Sequence, residues 1–305
     1  MTKSASTIAP LPLAQPTFLA GLAIAIVGAV LFSTKAIVAK LMYRYHIDAV
    51  TLIAFRMIFS VPVFAAIAIW KMRTEAPLSN GDRGRLVVLG LTGYYLASLL
   101  DFLGLQFISV GLERLTLFLT PTFVLLMTAF YFKRHISRRE WIALGLSYFG
   151  IVLVFVHDLG VGANTLLGTL LVLGSALSYG VYLLGSGEMV KRIGSTRLVS
   201  YAMCVSSAAG IVQFFVLRPA SLLIQPAPVY WLSLVIGVFC TILPVFLTMA
   251  AVQRIGAATA SQAGMVGPVS TLFLGALVLN EPITAVQIAG TVLVLGGIAV
   301  LSNKK

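Results

Sequence analysis

The sequence predicts an all-α integral membrane protein of ten transmembrane helices, built as two inverted five-helix repeats. Three observations carry this. Hydrophobic residues make up 59% of the 305 and charged residues 10%, with a mean hydropathy of +1.03; a soluble domain holds roughly one quarter charged residues. The apolar residues fall in ten runs near the span length of about 20 residues that a bilayer core requires, at roughly 18–43, 49–70, 86–108, 112–132, 140–157, 166–187, 198–217, 229–253, 257–279 and 283–302. Finally, a shift of 147 residues lays Pro121 on Pro268 and also superposes Gly21 on Gly168, Ala29 on Ala176, Gly90 on Gly237, Gln106 on Gln253, Ile136 on Ile283 and Gly150 on Gly297, with no gap. One constant offset along the chain marks two copies of a structural unit, 18–157 and 166–302. Each copy holds an odd number of spans, so the second enters the membrane from the opposite side and the repeat is inverted.

Charge orients the helices. The formal net charge is +12, but Lys and Arg lie in short clusters between apolar runs and form no basic face with interleaved aromatics, so nucleic acid is not the expected partner. With the N-terminus inside, fifteen Lys and Arg fall on inner segments, among them Lys71, Arg73, Arg138, Arg139, Lys191, Arg192, Arg254 and Lys305, against Lys40, Arg44, Arg114 and Arg218 outside. That bias predicts a multi-pass membrane protein with both termini in the cytoplasm. Residues 1–17 are too polar for a signal peptide, so the first helix is expected to be retained.

Taken in order, the first run carries small residues on one stripe, Gly21, Ala25, Ala29 and Ser33, as close helix approach in lipid requires. The second ends in Trp70 and a basic cluster. The third offers Tyr94, Tyr95, Ser98 and Asp101, of which Tyr94, Ser98 and Asp101 share one helical face. The fourth, Leu115–Phe132, holds Pro121 near its start, and the fifth runs to the short connection His157–Asn164. The sixth has Gly168, Ala176 and Gly180 for packing and Ser175, Ser178, Tyr179, Tyr182 and Ser186 as polar groups. Cys204 and Cys240, in the seventh and eighth runs, read as small buried apolar residues. The eighth places Pro244 beside Thr241 and Thr248; the ninth has Gly256, Ala260, Gly264 and Pro268. The tenth follows the turn Asn280-Glu281-Pro282. Tyr43, Tyr45, Trp70, Tyr131, Trp141 and Trp231 sit at span ends and suit interfacial anchoring.

An ionised side chain in hydrocarbon costs on the order of 3 kcal/mol or more unless it snorkels, pairs or faces water. Lys35, Lys40, Arg56, Asp101, Glu113 and Arg114 all fall on the outer halves of the first four helices, and their mates at the repeat offset, Tyr182, Gly187, Met203, Thr248, Ala260 and Ser261, are uncharged. For Arg56 and Asp101 both a structural ion pair and direct participation in transport are open; Lys40 suits snorkelling. The face of Tyr94, Ser98 and Asp101, with Ser175, Ser178, Tyr179 and Tyr182 opposite, suits a water-filled cavity for a small zwitterion. Pro121, Pro268 and Pro244 each deny their helix a backbone bond, so the freed carbonyls are candidates to receive a substrate ammonium and Pro121 and Pro268 are candidate hinges; a packing kink is the alternative. His46, His135 and His157 lie at loop ends and make no metal set, one deep acid is too few for an intramembrane aspartyl protease, and no phosphate loop points to ATP or another cofactor.

Two five-helix copies, a proline early in the fourth and ninth helices, and the C-terminal run from Pro268 through Asn280-Glu281-Pro282 to Gly290 and Gly297 together resemble the EamA-type exporters of the drug/metabolite transporter superfamily. The first copy departs at this turn, where it reads Lys133-Arg134-His135. Overall the chain looks most like the YddG-type amino-acid exporters. The resemblance implies a secondary transporter that exports amino acids, aromatic and other neutral ones included, or similar small metabolites by alternating access. Transport of another metabolite or a cationic drug is the alternative, and a channel-like or sensor protein is a rival of another class.

Overall fold

The computed structural model describes residues 16–131, 133, 135–159 and 164–302. Among these, every regular element is helical: α1 Pro16–Tyr43, α2 Ala49–Thr74, α3 Asn80–Gly90, α4 Ala97–Leu105, α5 Val110–Leu117, α6 Thr120–Tyr131, α7 Arg138–Leu159, α8 Thr165–Ile193, α9 Ser195–Leu217, α10 Ala227–Gly237, α11 Leu243–Ala263, α12 Val266–Leu274 and α13 Ala285–Ser302. Eight stretches are long and apolar enough to cross a bilayer, and two shorter apolar helices, Val266–Leu279 and Ala285–Val300, complete the ten expected. The chain termini, Arg134 and most of the connection between the copies lie outside the described residues.

The 147-residue offset reappears in local geometry. A π-helical turn, Leu91–Leu96, joins α3 to α4, and its repeat mate, Val238–Ile242, joins α10 to α11. A hydroxyl supplements the backbone bonds at each turn: Ser178 donates to Thr92 O at 2.8 Å in the first copy, beside the Ala97 N–H, and Thr241 to Ile236 O at 2.8 Å in the second. Lys133 and Asn280, also repeat mates, both take left-handed backbone, at φ 49° and 59°. The copies share this turn although its charges differ. Capping boxes match as well. Ser137 and Glu140 exchange hydrogen bonds at the start of α7, as Thr284 and Gln287 do at the start of α13.

One boundary differs from the expectation. The backbone stays helical from Leu243 through Ala263, where a loop was expected at 254–256, and breaks at Gly264-Met265. Gln253 and Arg254 carry the polarity of a loop, yet at a membrane surface a helix holds such side chains without cost. The break overlaps, one residue out of register, the repeat counterpart of that at Phe118-Leu119 between α5 and α6, Phe118 and Met265 being mates.

The helices pair as a pseudo-two-fold axis demands. α2 packs on α9 and α7 on α13, each on its own repeat mate, while α1 packs on α11 as α8 packs on α4. Lipid supplies no hydrophobic drive to helix association, so close backbone contact holds these pairs. A Cβ placed on Gly290 would meet Val154 Cγ2 at 2.4 Å and Gly150 O at 2.7 Å; one on Gly104 would meet Gly168 O at 2.6 Å.

The turns at 44–48, 106–109, 218–226 and 280–284 gather at one face of the bundle, tied across the copies by an Asp48–Arg218 ion pair, by Val110 N–H to Glu281 Oε2 at 3.2 Å and by Arg44 to Leu279 O at 3.4 Å. At the second face, Asp82–Arg192 and Glu75–Arg197 join α2 and α3 to α8 and α9 at 2.8 and 3.3 Å. The two halves of the bundle are unequally filled. Near the first face, α12 lies against both α1 and α5; toward the second, α6 packs substantially on α8 alone among the described residues, and Phe123 to Thr128 are all part-exposed.

Candidate functional site

Beneath the first face lies a buried cluster of charges. Lys35 on α1, Arg56 on α2, Asp101 on α4, and Glu113 and Arg114 on α5 are each less than 8% exposed. Lys35 Nζ bonds Asp101 Oδ2 at 2.5 Å. Arg56, for which an Asp101 pair was one of the expectations, instead donates to Ser98 Oγ at 3.0 Å, and its Nε has no acceptor. Lys35 Nζ and the Arg56 guanidinium lie over the Phe102 ring, 5.5 and 5.6 Å from its centroid, and Lys35 is the one that bonds Asp101. Arg114 donates to Thr271 Oγ1 at 3.2 Å and Ser33 O at 3.1 Å, joining the fourth helix to the ninth and the first. Glu113 has an Arg114 nitrogen no nearer than 3.9 Å and accepts no hydrogen bond. Three cations and two carboxyl groups thus converge where a lone buried ion costs several kcal/mol.

A lid separates the cluster from the first face. Tyr43 was expected to anchor at the interface; it is half-buried and donates to Phe102 O at 2.6 Å. Above it a cleft of about 410 Å³ is lined by Lys40, Tyr43, His46, Ile47, Asp48 and Gln106. Tyr45, Trp70, Tyr131, Trp141 and Trp231 are all exposed, as lipid-facing anchors are.

Below the cluster stands an aromatic group. Tyr94 and Tyr182 meet hydroxyl to hydroxyl at 3.1 Å, with ring centroids 5.0 Å apart, and Tyr179 stacks on Tyr182 at 5.5 Å. Ser98 and Asp101, on α4 beyond the π-turn, are buried as well and are bonded to Arg56 and Lys35. Ser175 and Ser178 face the third helix but donate to Ala97 O and Thr92 O, at 2.7 and 2.8 Å, and so serve packing in this conformation. Thr241 is spent within its own helix and Pro244 is buried next to it. Thr248 is exposed and faces Gly28 of α1.

The prolines sit differently from a mid-helix kink. Pro121 and Pro268 fall in the first turns of α6 and α12, just after the repeat-related breaks, where an N–H has no helical partner to lose. The carbonyls four residues earlier are engaged: Leu117 O accepts the Thr120 hydroxyl at 2.7 Å and Gly264 O accepts Gly267 N–H at 2.9 Å.

Sequence reasoning missed the role of Glu281. Its carboxylate caps the N-terminus of α5 together with Ser109, whose hydroxyl accepts Leu112 N–H at 3.1 Å. The negative charge suits that end of the helix dipole. Burial pushes the Glu281 carboxyl up, and Lys40 and the Val110 N–H oppose it. The signal was available, since Glu281 is the one acid of the C-terminal turn and lacks a mate in the first copy. Among the described residues, no three His, Cys, Asp or Glu gather as metal ligands.

A ten-helix repeat bundle with a buried polar site between its copies is the build of a membrane transporter. The EamA-like transporter family matches twice, over residues 19–156 and 166–303, and the chain belongs to that family. It is 30% identical over 277 residues to the uncharacterized transporter YcbK of Bacillus subtilis, covering 89% of each chain, and 23% identical over 319 residues to the uncharacterized transporter sll1319 of Synechocystis, covering 94% of each. A crystal structure with 18% identity superposes with a TM-score of 0.63 over 92% of this chain and 96% of its own, a likeness of fold alone. The family is one of transporters, not enzymes.

Proposed function

We propose that the protein exports amino acids, or similar small metabolites, from the cytoplasm across a bacterial inner membrane by alternating access. In this reading the two copies are inverted, both termini are cytoplasmic, and the first face is the outer one. The observation that carries it is the buried cluster of both signs, supplied by the first copy and bonded to the second through Arg114 and Thr271. Arg56, whose Nε lacks an acceptor, suits a substrate carboxylate; Asp101 and Glu113 suit an ammonium; Tyr94, Tyr179 and Tyr182 suit an apolar or aromatic side chain. Secondary transporters bind substrate at such a repeat interface. The closed first face and the sparsely packed α6 support an inward-facing state, with Pro121 and Pro268 at the breaks where the fourth and ninth helices change direction. The overall similarity to the YddG-type exporters favours the same substrate class.

A counterflow screen with purified protein in liposomes, against amino acids, nucleosides and organic cations, tests the substrate class. Exchange of neutral amino acids, lost in Arg56→Met, is expected. Exchange confined to organic cations would move the reading to the cationic-drug alternative.

A further inference from the structure

Where α1 ends and α10 begins, a cleft of about 470 Å³ opens at the first face, lined by Leu41, Arg44, Tyr45, Pro228, Trp231 and Leu232. Its polar groups are donors with little to bond. Arg44 is exposed, makes no ion pair among the described residues and spends one nitrogen on Leu279 O at 3.4 Å, which leaves most of its guanidinium N–H groups free. Tyr45 and Trp231 are 41% and 68% exposed, and among the described residues neither the phenol nor the indole N–H bonds a protein group. No carboxylate lines the cleft, and the acid closest in sequence to Arg44, Asp48, is held by Arg218 and by Thr51 N–H. The repeat-related place at the second face is built differently. There Leu41 and Leu232 are answered by Glu188 and Arg85, paired at 3.8 Å, and Tyr45 by Arg192, paired with Asp82 at 2.8 Å. Pro228 and Trp231 are answered by Gly81 and Gly84, each with nothing within 4 Å of an added Cβ. The apolar, acid-free cleft is therefore the work of these side chains and not of the repeat.

We propose that this cleft binds a phospholipid of the leaflet covering the first face, and that it selects an anionic headgroup. Exposed Tyr and Trp side chains sit at headgroup level in a bilayer. A phosphodiester at that level accepts from the Arg44 guanidinium, whose planar fork suits two phosphate oxygens at once, and from the Tyr45 hydroxyl and the Trp231 N–H. An acyl chain then runs along Leu41 and Leu232, about one helical turn from Arg44 and Pro228. A headgroup with net negative charge is preferred to choline because the single charge of the lining is positive and no carboxylate there receives an ammonium. The bound lipid joins α1 of the first copy to α10 of the second and so adds to the ties that close this face. The site holds whichever way the copies face and does not rest on the transport reading.

Tryptophan fluorescence of the full-length protein in phosphatidylcholine bilayers tests this, since the chain has three tryptophans. Trp70→Phe and Trp141→Phe, both at exposed positions, leave Trp231 as the reporter. The mole fraction of brominated phosphatidylglycerol that half-quenches Trp231 is expected to be about fivefold lower than that of brominated phosphatidylcholine, the ratio that one basic residue supplies at an anionic lipid. Arg44→Gln should remove the preference, and Arg85→Gln, at the repeat-related place, should leave it intact. Equal quenching by the two lipids in the reporter protein overturns the proposal without need of the Arg44 variant, and a preference that survives Arg44→Gln overturns it as well. So does relief of the quenching by soluble glycerol phosphate, which would make a free phosphate the ligand. Trp231 shielded from both lipids, with a dimer in native mass spectrometry, would make a second copy of the chain the occupant and likewise overturn it.

Discussion

Breaking the Lys35–Asp101 pair is expected to be expensive, and unequally so from its two ends. The pair spans 2.5 Å and is 7% and 1% exposed, conditions under which removing one partner costs about 3–5 kcal/mol because the other ion is left buried alone. Lys35→Met leaves Asp101 within reach of Arg56, the largest attraction on that guanidinium, so its cost should fall near the lower end, about 3 kcal/mol. Asp101→Leu leaves Lys35, Arg56 and Arg114 facing only Glu113, and should cost about 5 kcal/mol. The double variant removes both ions and should lie within about 1–2 kcal/mol of the parent, since hydrophobic replacement of a whole buried pair is often neutral. Unfolding in mixed detergent micelles, run as a double-mutant cycle, measures this; the double variant should be more stable than either single one while losing transport. Additive single-variant costs would refute the pairing and the argument that the cluster is kept for function.

The remaining expectations follow from other contacts. Gly290→Val should destabilise by about 1–3 kcal/mol, as overpacking does, because even its Cβ strikes Val154 and Gly150; Gly296→Ala, with nothing within 4 Å, should be neutral or slightly stabilising in the same thermal assay. Burial pushes the Asp48 carboxyl up, but Thr51 N–H and Arg218 outweigh it and hold the group below its ordinary 3.8. The Asp48 contribution to sealing the first face is therefore complete above pH 3.8 and lost as the pH falls further, and Asp48→Asn should abolish that dependence in a cysteine-accessibility titration. Pro121→Ala and Pro268→Ala restore an N–H just after each helix break; both should lower turnover more than apparent affinity, and parental rates in counterflow would make them packing features.

Much of the fold was legible because bilayer length and the repeat offset act through composition alone. The ten runs, the small-residue contacts and the outward aromatics needed no knowledge of partners. The site was legible in its members and less so in its connections. That Asp101 pairs with Lys35 and not Arg56 depends on how α1, α2 and α4 are rotated around Phe102, which no single-helix pattern records. Ser175 and Ser178 read as cavity hydroxyls because their acceptors, Ala97 O and Thr92 O, lie on a neighbouring helix whose placement the sequence does not record. Glu113 is legible as a charge in the outer half of its helix, but its complete burial follows from α5 being tucked between α8, α12 and α13.

The central claim, that the two copies open the charge cluster to alternate sides, is tested most directly by locking the first face. A variant free of Cys204 and Cys240, with Val110→Cys and Glu281→Cys joined by a short bifunctional thiol reagent, would hold that face shut. A further cysteine at Ser98, blocked reversibly during cross-linking, reports access to the cluster. The account predicts that the locked protein loses counterflow, that the Ser98 position is labelled by water-soluble reagents from the cytoplasmic side only, and that cleaving the cross-link restores transport. Transport at the parental rate with the lock in place, or equal labelling from both sides, would contradict it.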